Sequence, residues 1–211
     1  MPALTYFAKP LTKPYTSNFA TGGSPTTTIV SNPVSSIGGT VLRYANGTNT
    51  ASWIKNAVPL VAANSSGTHE VGVDLYIPST SITSTEVITI QINGNVNHRI
   101  ELASANNLTT NGAFRSTFPY DSWFRVVFKF NFDTKTYDLL LMQNSAIYKT
   151  QFTNRSMTIA SVDLTASGIT DMRVHMQGSN QTIYMDNFGI LTEEVSFGMY
   201  DFYDSTWTAF F

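Results

Sequence analysis

The sequence predicts an all-β protein, folded as a two-sheet antiparallel jelly-roll sandwich. Apolar and polar residues alternate with period two along several stretches, which is the pattern of strands that bury one face. Turn-forming residues separate these stretches, as at Asn93-Gly94-Asn95. No stretch of ten residues has helical spacing. About ten to twelve strands joined by short turns are typical of two sheets packed face to face.

The clearest alternation runs from residue 123 to residue 132. Its even positions are all apolar and mostly aromatic, whereas Arg125, Lys129 and Asn131 point the other way. On a helix the aromatic residues would spread around the whole cylinder, so the segment predicts a strand with one buried face. That face is formed by Phe124, Val126, Phe128, Phe130 and Phe132.

The same alternation predicts further strands along the chain. Their inward-facing residues are Val71, Val73, Leu75 and Ile77; Ile88, Ile90 and Ile92; Ile100 and Leu102; Tyr137, Leu139 and Leu141; and Met172, Val174 and Met176.

The chain is predicted to have three parts. Residues 1–17 contain two Lys-Pro pairs, which favour an extended N-terminal arm. Residues 18–192 form the jelly-roll domain, and residues 193–211 form an aromatic C-terminal strand or tail. Exposed aromatic side chains would promote association, so the tail must pack on the domain or on a neighbour. We therefore predict assembly contacts, with other copies or with other structural proteins, at Tyr203, Trp207, Phe210 and Phe211.

Charge is scarce in this sequence. Lys and Arg number 12, Asp and Glu number 14, and Thr, Ser and Asn together make up 67 of the 211 residues. Hydroxyl- and amide-rich surfaces are common on extracellular β-proteins and on virus structural proteins. The absence of a basic stripe argues against nucleic acid as a partner. The absence of cysteine excludes disulfides and thiolate chemistry.

The chain shows no secretory signal and no apolar run approaching about 18 residues. We therefore expect no membrane insertion, and a location on a virion surface or outside a cell. A phage particle released by lysis and a secreted fragment are both consistent with this pattern.

Four segments resemble, in the same order, the strands of concanavalin-like jelly rolls, which include lectins, glucanases, laminin-G-like modules and domains of phage particles. They are IGGTVLRY (37–44), VGVDLYI (71–77), the hairpin WFRVVF to YDLLL (123–141) and IYMDNFGI (183–190). The resemblance covers about residues 18–191. It implies contact with glycans, and it makes Asp186 a candidate ligand of a structural calcium ion. No other cofactor is expected.

No complete catalytic site is recognised in the sequence, and we therefore predict that the chain is not an enzyme. Glucanases of this fold use carboxylates spaced two and four apart on one strand, whereas Glu86 stands alone and Glu193 and Glu194 are adjacent. A polysaccharide lyase would need His98 or His175 beside a tyrosine and an arginine.

Candidate ligand-binding residues come from several strands. Arg173 and His175 share one strand face and could lie beside Arg99 or Arg125, with Gln91 on a nearby strand. Such a groove could bind sugar hydroxyls or acidic groups. Aromatic surfaces for stacking on sugar rings are available at Trp53, Trp123 and Trp207, of which Trp123 begins a core strand.

These features favour a non-enzymatic structural or interaction protein on a virion surface. A capsid decoration, a head fibre or a tail module would fit, as an oligomer whose jelly roll contacts glycans. The alternative is a carbohydrate-binding module or lectin-like domain of a secreted protein. A polysaccharide lyase is the third hypothesis.

Overall fold

The structure, a computed structural model, describes residues 19–23, 25–36, 39–47, 51–56, 60–82, 87–110, 113–143 and 146–192. Strands account for most of them. No helix in these ranges is long and apolar enough to cross a membrane.

The elements follow one another in this order: β1 (Phe19–Gly22), β2 (Thr26–Ser31), β3 (Thr40–Ala45), β4 (Ser52–Asn56), β5 (Thr68–Tyr76), β6 (Val87–Ile92), β7 (Arg99–Ala103), β8 (Asn107–Thr110), β9 (Ala113–Thr117), β10 (Trp123–Asn131), β11 (Thr136–Gln143), β12 (Ala146–Ser156), β13 (Thr158–Ile159), β14 (Val162–Asp163), the helical turn α1 (Leu164–Ser167), β15 (Met172–Met176) and β16 (Thr182–Thr192).

Two seven-stranded antiparallel sheets hold fourteen of these strands. Sheet A has the order β1-β4-β15-β6-β7-β8-β9, and sheet B has the order β12-β11-β10-β5-β16-β3-β2. Neighbours such as β15 and β4, or β5 and β16, are far apart along the chain. The late strands β15 and β16 therefore close both sheets against strands from the first half of the sequence.

The core lies between the two sheets. Sheet B contributes an aromatic row in which Phe124, Phe128 and Phe130 are buried, and sheet A contributes buried isoleucines that include Ile88 and Ile90. The Phe128 and Phe130 rings are stacked with centroids 6.2 Å apart. Burial of each large apolar side chain stabilises the fold by about 2 kcal/mol. The predicted two-sheet sandwich is confirmed.

The structure contains more strands than the sequence predicts. The additional ones are short, such as the two-residue β13 and β14, which form a separate small sheet, and the four-residue β1 and β8. Alternation cannot be recognised over two to four residues, so these elements leave no clear pattern in the sequence.

The outer face of β10 is also more buried than its sequence indicates. Trp123 is 6% exposed because its indole Nε1 donates to Asn32 Oδ1 at 3.1 Å and its ring packs against Tyr76 at 5.8 Å. Val127 on the same face is fully buried.

The N-terminal arm (1–17) and the aromatic tail (193–211), with its assembly contacts at Tyr203, Trp207, Phe210 and Phe211, lie outside the described residues. The division of the chain into three parts therefore stays a prediction.

The aromatic row of β10 leads to a stability prediction. Phe128→Ala removes a fully buried ring and leaves a cavity, so we expect the free energy of unfolding to fall by about 3–5 kcal/mol. Urea denaturation measures this change. Ile29→Ala is the control, because Ile29 is 38% exposed and should cost less than about 1 kcal/mol. Equal losses for the two variants would contradict the assigned core.

Candidate functional site

The face of sheet A that points away from the core carries two rows of polar and aromatic side chains. In the first row, Lys55 on β4 is opposite Arg173 on β15, which is opposite Gln91 on β6, which is opposite Arg99 on β7. Each step between strands is about 4.8 Å, so Arg173 and Arg99 flank Gln91 at a separation of about 10 Å between their Cα atoms.

The second row lies two residues along each strand, and therefore on the same face. Trp53 is opposite His175, His175 is opposite Thr89, and Thr89 is opposite Glu101. Together the side chains of both rows form what we call the sheet A outer face: Trp53, Lys55, Thr89, Gln91, Arg99, Glu101, Arg173 and His175.

Arg173 is held in place from two sides. Its guanidinium carbon lies 4.6 Å from the centroid of the Trp53 ring, which is a cation–π contact. In the turn between β6 and β7, Gly94 has φ +60°, and a Cβ built there would approach the Arg173 guanidinium to 3.0 Å. A glycine at this turn therefore satisfies both the left-handed backbone and the space that the arginine needs.

Asn93 fixes the start of β15, the strand that carries Arg173 and His175. Its side-chain Oδ1 accepts from the backbone N–H of Thr170 at 2.8 Å and of Asp171 at 3.2 Å, and its Nδ2 donates to the carbonyl of Gly168 at 2.8 Å. Nδ2 also donates to the Ser167 hydroxyl at 3.3 Å. Four hydrogen bonds from one side chain thus join the β6–β7 turn to the segment before β15.

Two carboxylates neighbour the cationic groups of this face. Asp171 Oδ2 lies 3.4 Å from Lys55 Nζ, and its Oδ1 lies 3.7 Å from Arg173 Nη2. Glu101 Oε1 lies 2.6 Å from Arg99 Nη2, and its Oε2 accepts from the Thr109 hydroxyl at 2.8 Å. Among the described residues, three cations therefore face two carboxylates, although the whole chain has a formal charge of −2.

His175 is half-buried, with Trp53 and Thr89 opposite it on the neighbouring strands. Burial lowers the pKa of its imidazole, and the nearby charges of Arg173 and Arg99 lower that pKa further. His175 is therefore neutral at neutral pH, and one ring nitrogen can accept a hydrogen bond while the other donates.

Arg125 does not join this face. β10 belongs to sheet B, so the side chain of Arg125 points away from the core on the opposite side of the sandwich. Its Nε and Nη2 atoms donate to the two carboxylate oxygens of Asp74, each at 2.6 Å. Asp74 is 2% exposed at its side chain, and this bidentate contact is the geometry in which arginine binds a carboxylate most strongly.

Asp186, the candidate calcium ligand, is buried opposite Asp74 on that same side. Within the part of the chain that the structure describes, no three His, Cys, Asp or Glu side chains are grouped to hold a metal ion. Calcium requires six to eight oxygen ligands, so a calcium site at Asp186 stays a prediction.

His98 lies on the core side of its strand segment and is fully buried. Its Nδ1 is 3.1 Å from the Tyr137 hydroxyl. Burial lowers the pKa of His98 to about 4, and the Arg155 guanidinium contributes to this shift. Burial also raises the pKa of Tyr137 to about 12. A histidine and a tyrosine are thus adjacent, but they lie inside the sandwich, where a polysaccharide does not reach them.

The architecture of the chain is shared by solved structures. The catalytic domain of a GH131 beta-glucanase from Podospora anserina is 13% identical, over 97% of this chain and 95% of that one, with a TM-score of 0.58. The carbohydrate recognition domain of Emp47p is 12% identical, over 88% and 93%, with a TM-score of 0.54. This chain has a concanavalin-like jelly-roll fold.

Two other solved proteins share part of this architecture. A conserved carbohydrate esterase from the Shiga toxin-encoding bacteriophage phi24B is 11% identical, over 80% of this chain and 87% of that one, with a TM-score of 0.51. The chain also spans 15% of the length of a sialidase that it matches with a TM-score of 0.47. No family model and no curated protein matches the sequence.

The prediction that the chain is not an enzyme is wrong, and the glucanase catalytic domain is the finding that overturns it. The prediction relied on the absence of carboxylates with a given spacing on one strand. That spacing describes only one arrangement of carboxylates, whereas strand pairing in sheet A also brings side chains of different strands together on one face.

The structure brings together four of the five predicted ligand-binding residues: Gln91, Arg99, Arg173 and His175. Sequence reasoning missed Lys55 and Asp171. Both had a detectable signal, because each lies two residues from a recognised candidate, Trp53 or Arg173, and period two places such residues on one strand face.

Burial of His98 has a consequence for stability. An unfolded histidine has a pKa of about 6.5, whereas folded His98 has one of about 4. Between these values the unfolded chain binds a proton that the folded chain does not, so stability decreases as pH falls through this window, by about 3 kcal/mol in total.

Comparison of wild type with His98→Gln, by urea denaturation at a series of pH values, isolates this contribution. Acidic side chains titrate equally in both proteins, so the contribution of His98 is the difference between the two curves of unfolding free energy against pH. Parallel profiles would show that His98 is not held neutral by the fold.

Proposed function

We propose that this chain is a carbohydrate-binding jelly roll that holds its saccharide on the sheet A outer face. The observation that carries the proposal is the arrangement of Trp53, Arg173, His175, Gln91 and Arg99 on four adjacent strands. An aromatic ring, two guanidinium groups, an amide and a neutral imidazole are the groups that proteins use for the apolar faces and the hydroxyls of sugars.

The contacts around these groups support a preformed site. The Arg173 guanidinium packs on the Trp53 ring and occupies the space left by the missing Cβ of Gly94. Hydrogen bonds from Asn93 hold the start of β15 in place. Side chains that are ordered before the ligand arrives lose little conformational entropy on binding. The fold supports the proposal as well, because the matched structures include a carbohydrate recognition domain and a glucanase catalytic domain.

Cleavage of the bound saccharide is a second candidate function, favoured by the state of His175. Its depressed pKa leaves the imidazole in the basic form that general base catalysis requires. Arg173 and Arg99 are close enough to affect this pKa. Binding assays therefore need a parallel measurement of unsaturated products and of new reducing ends.

A virion surface is the location that we propose for the domain. The Thr-, Ser- and Asn-rich composition supports this location, as does the similarity to a bacteriophage carbohydrate esterase. Mass spectrometry of purified particles from the source of the gene should detect the chain. Its absence from the particles, together with its presence in the culture medium, would favour the secreted alternative.

The binding proposal predicts a specific loss of affinity. Trp53→Ala and the double variant Arg173→Ala/His175→Ala should each weaken binding by at least about tenfold, because aromatic and arginine anchors at the centre of an interface contribute most of its energy. Affinity electrophoresis against neutral and acidic polysaccharides measures the effect.

Tyr76→Ala is the matched control, because Tyr76 is a partly exposed aromatic residue on the outer face of sheet B. It should retain wild-type binding. Retardation that is unchanged in the sheet A variants, or lost only in the control, would contradict the assigned face. Circular dichroism confirms that each variant is folded.

A further inference from the structure

The two arginines of the first row have unused hydrogen-bonding capacity. The Nε atoms of Arg99 and Arg173 are buried, and neither has a hydrogen-bond partner among the described residues. A buried N–H group without an acceptor costs about 1–3 kcal/mol, and more when the group is charged. Proteins satisfy nearly all such groups. The two Nε atoms therefore need an acceptor that the described residues do not supply, and an oxygen atom of a bound ligand is one that fits.

Arg125 on sheet B shows how the hydrogen-bond donors of an arginine are satisfied by an acceptor within the protein. Arg125 uses Nε and Nη2 together on Asp74, at 2.6 Å each. On sheet A, Nη2 of Arg99 contacts Glu101 at 2.6 Å and Nη2 of Arg173 is 3.7 Å from Asp171, while both Nε atoms are left over. The contrast between the two faces points to a ligand on sheet A.

The surroundings of the two Nε atoms favour an anion. Arg173 and Arg99 lie on either side of Gln91, a residue that is 6% exposed. Lys55 adds a third cation at the end of the row. The lowered pKa of His175, to which both arginines contribute, is consistent with a local excess of positive charge.

The charged and titratable groups facing His175 come from three strands and the segment before β15. They are Lys55 on β4, Arg173 on β15 with Asp171 before it, and Arg99 and Glu101 on β7. Because the two carboxylates are already next to cations, a negatively charged group on a ligand would be attracted by the remaining charge, and this attraction increases as water leaves the site.

We infer that the saccharide bound by the sheet A outer face is anionic, and that Arg173 and Arg99 bind its acidic group from both sides of Gln91. This inference rests on the proposed function of the same face. The acidic group is a carboxylate, as in uronic acids, or a sulfate ester. Both offer planar or tetrahedral sets of oxygen acceptors that match a guanidinium.

The test compares acidic polymers with their own neutral counterparts. Polygalacturonate is paired with fully methyl-esterified polygalacturonate, and dextran sulfate with dextran, in affinity electrophoresis at fixed ionic strength. We expect at least one acidic polymer to bind tenfold or more tightly than its neutral partner. Preference within the first pair identifies a carboxylate, and preference within the second identifies a sulfate.

The arginine variants localise the effect. Arg99→Gln and Arg173→Gln should each reduce the preference for the acidic polymer by at least tenfold. Arg43→Gln removes the same charge from the outer face of sheet B and should leave the preference unchanged. A loss in Arg43→Gln equal to that in the sheet A variants would show that the preference is a general charge effect, and this would overturn the inference.

Two other outcomes are distinguishable. Equal binding of acidic and neutral partners by the wild-type protein would overturn the anionic specificity and leave the carbohydrate-binding function in place. Failure to bind any polymer, neutral or acidic, would overturn the proposed function and the inference together. The wild-type comparison does not depend on any variant, so a variant that fails to fold leaves the test decisive.

Discussion

Every central strand of this protein has one apolar face that must be buried, and the pairing of the two sheets follows from that requirement. A seven-stranded sheet cannot be stable alone with an apolar face in water, and two such sheets satisfy each other by closing around a common core. Phe128 and Phe130 of sheet B and the isoleucines of β6 occupy that core. Because the inner faces are committed to packing, each sheet has its outer face available for other contacts.

The two outer faces differ in how their charged side chains are paired. On sheet B, Asp74 and Arg125 form a nearly buried bidentate ion pair, next to an aromatic cluster in which Tyr76 contacts Tyr184 and Trp123 at 5.8 Å each. On sheet A, the cations exceed the carboxylates. Arg125 on sheet B thus contributes to the fold, whereas Arg99 and Arg173 on sheet A are the residues that we propose bind a ligand.

Much of the fold could be predicted from residue alternation, because period two determines which side chains share a strand face. The inward residues of β5, β6, β10, β11 and β15 are buried as predicted. For the same reason, Arg173 and His175 share one strand face, and so do Arg99 and Glu101.

Alternation cannot predict the lateral order of the strands, since it contains no information on which strands pair. The sequence therefore could not place Trp53 and Lys55 of β4 beside β15, nor assign Arg125 to the opposite sheet. It also could not exclude an enzyme, because a site built across strands leaves no single motif.

We propose that a saccharide binds the sheet A outer face, and a map of the binding surface by NMR would show whether it does. Isotope-labelled protein would be titrated with a short oligosaccharide of the polymer that it retains best, and backbone amide chemical shifts followed by NMR. The account predicts shifts concentrated in β4, β6, β7 and β15, with little change in β2, β3 and β10. Shifts confined to sheet B, or to the loops at one end of the sandwich, would contradict it.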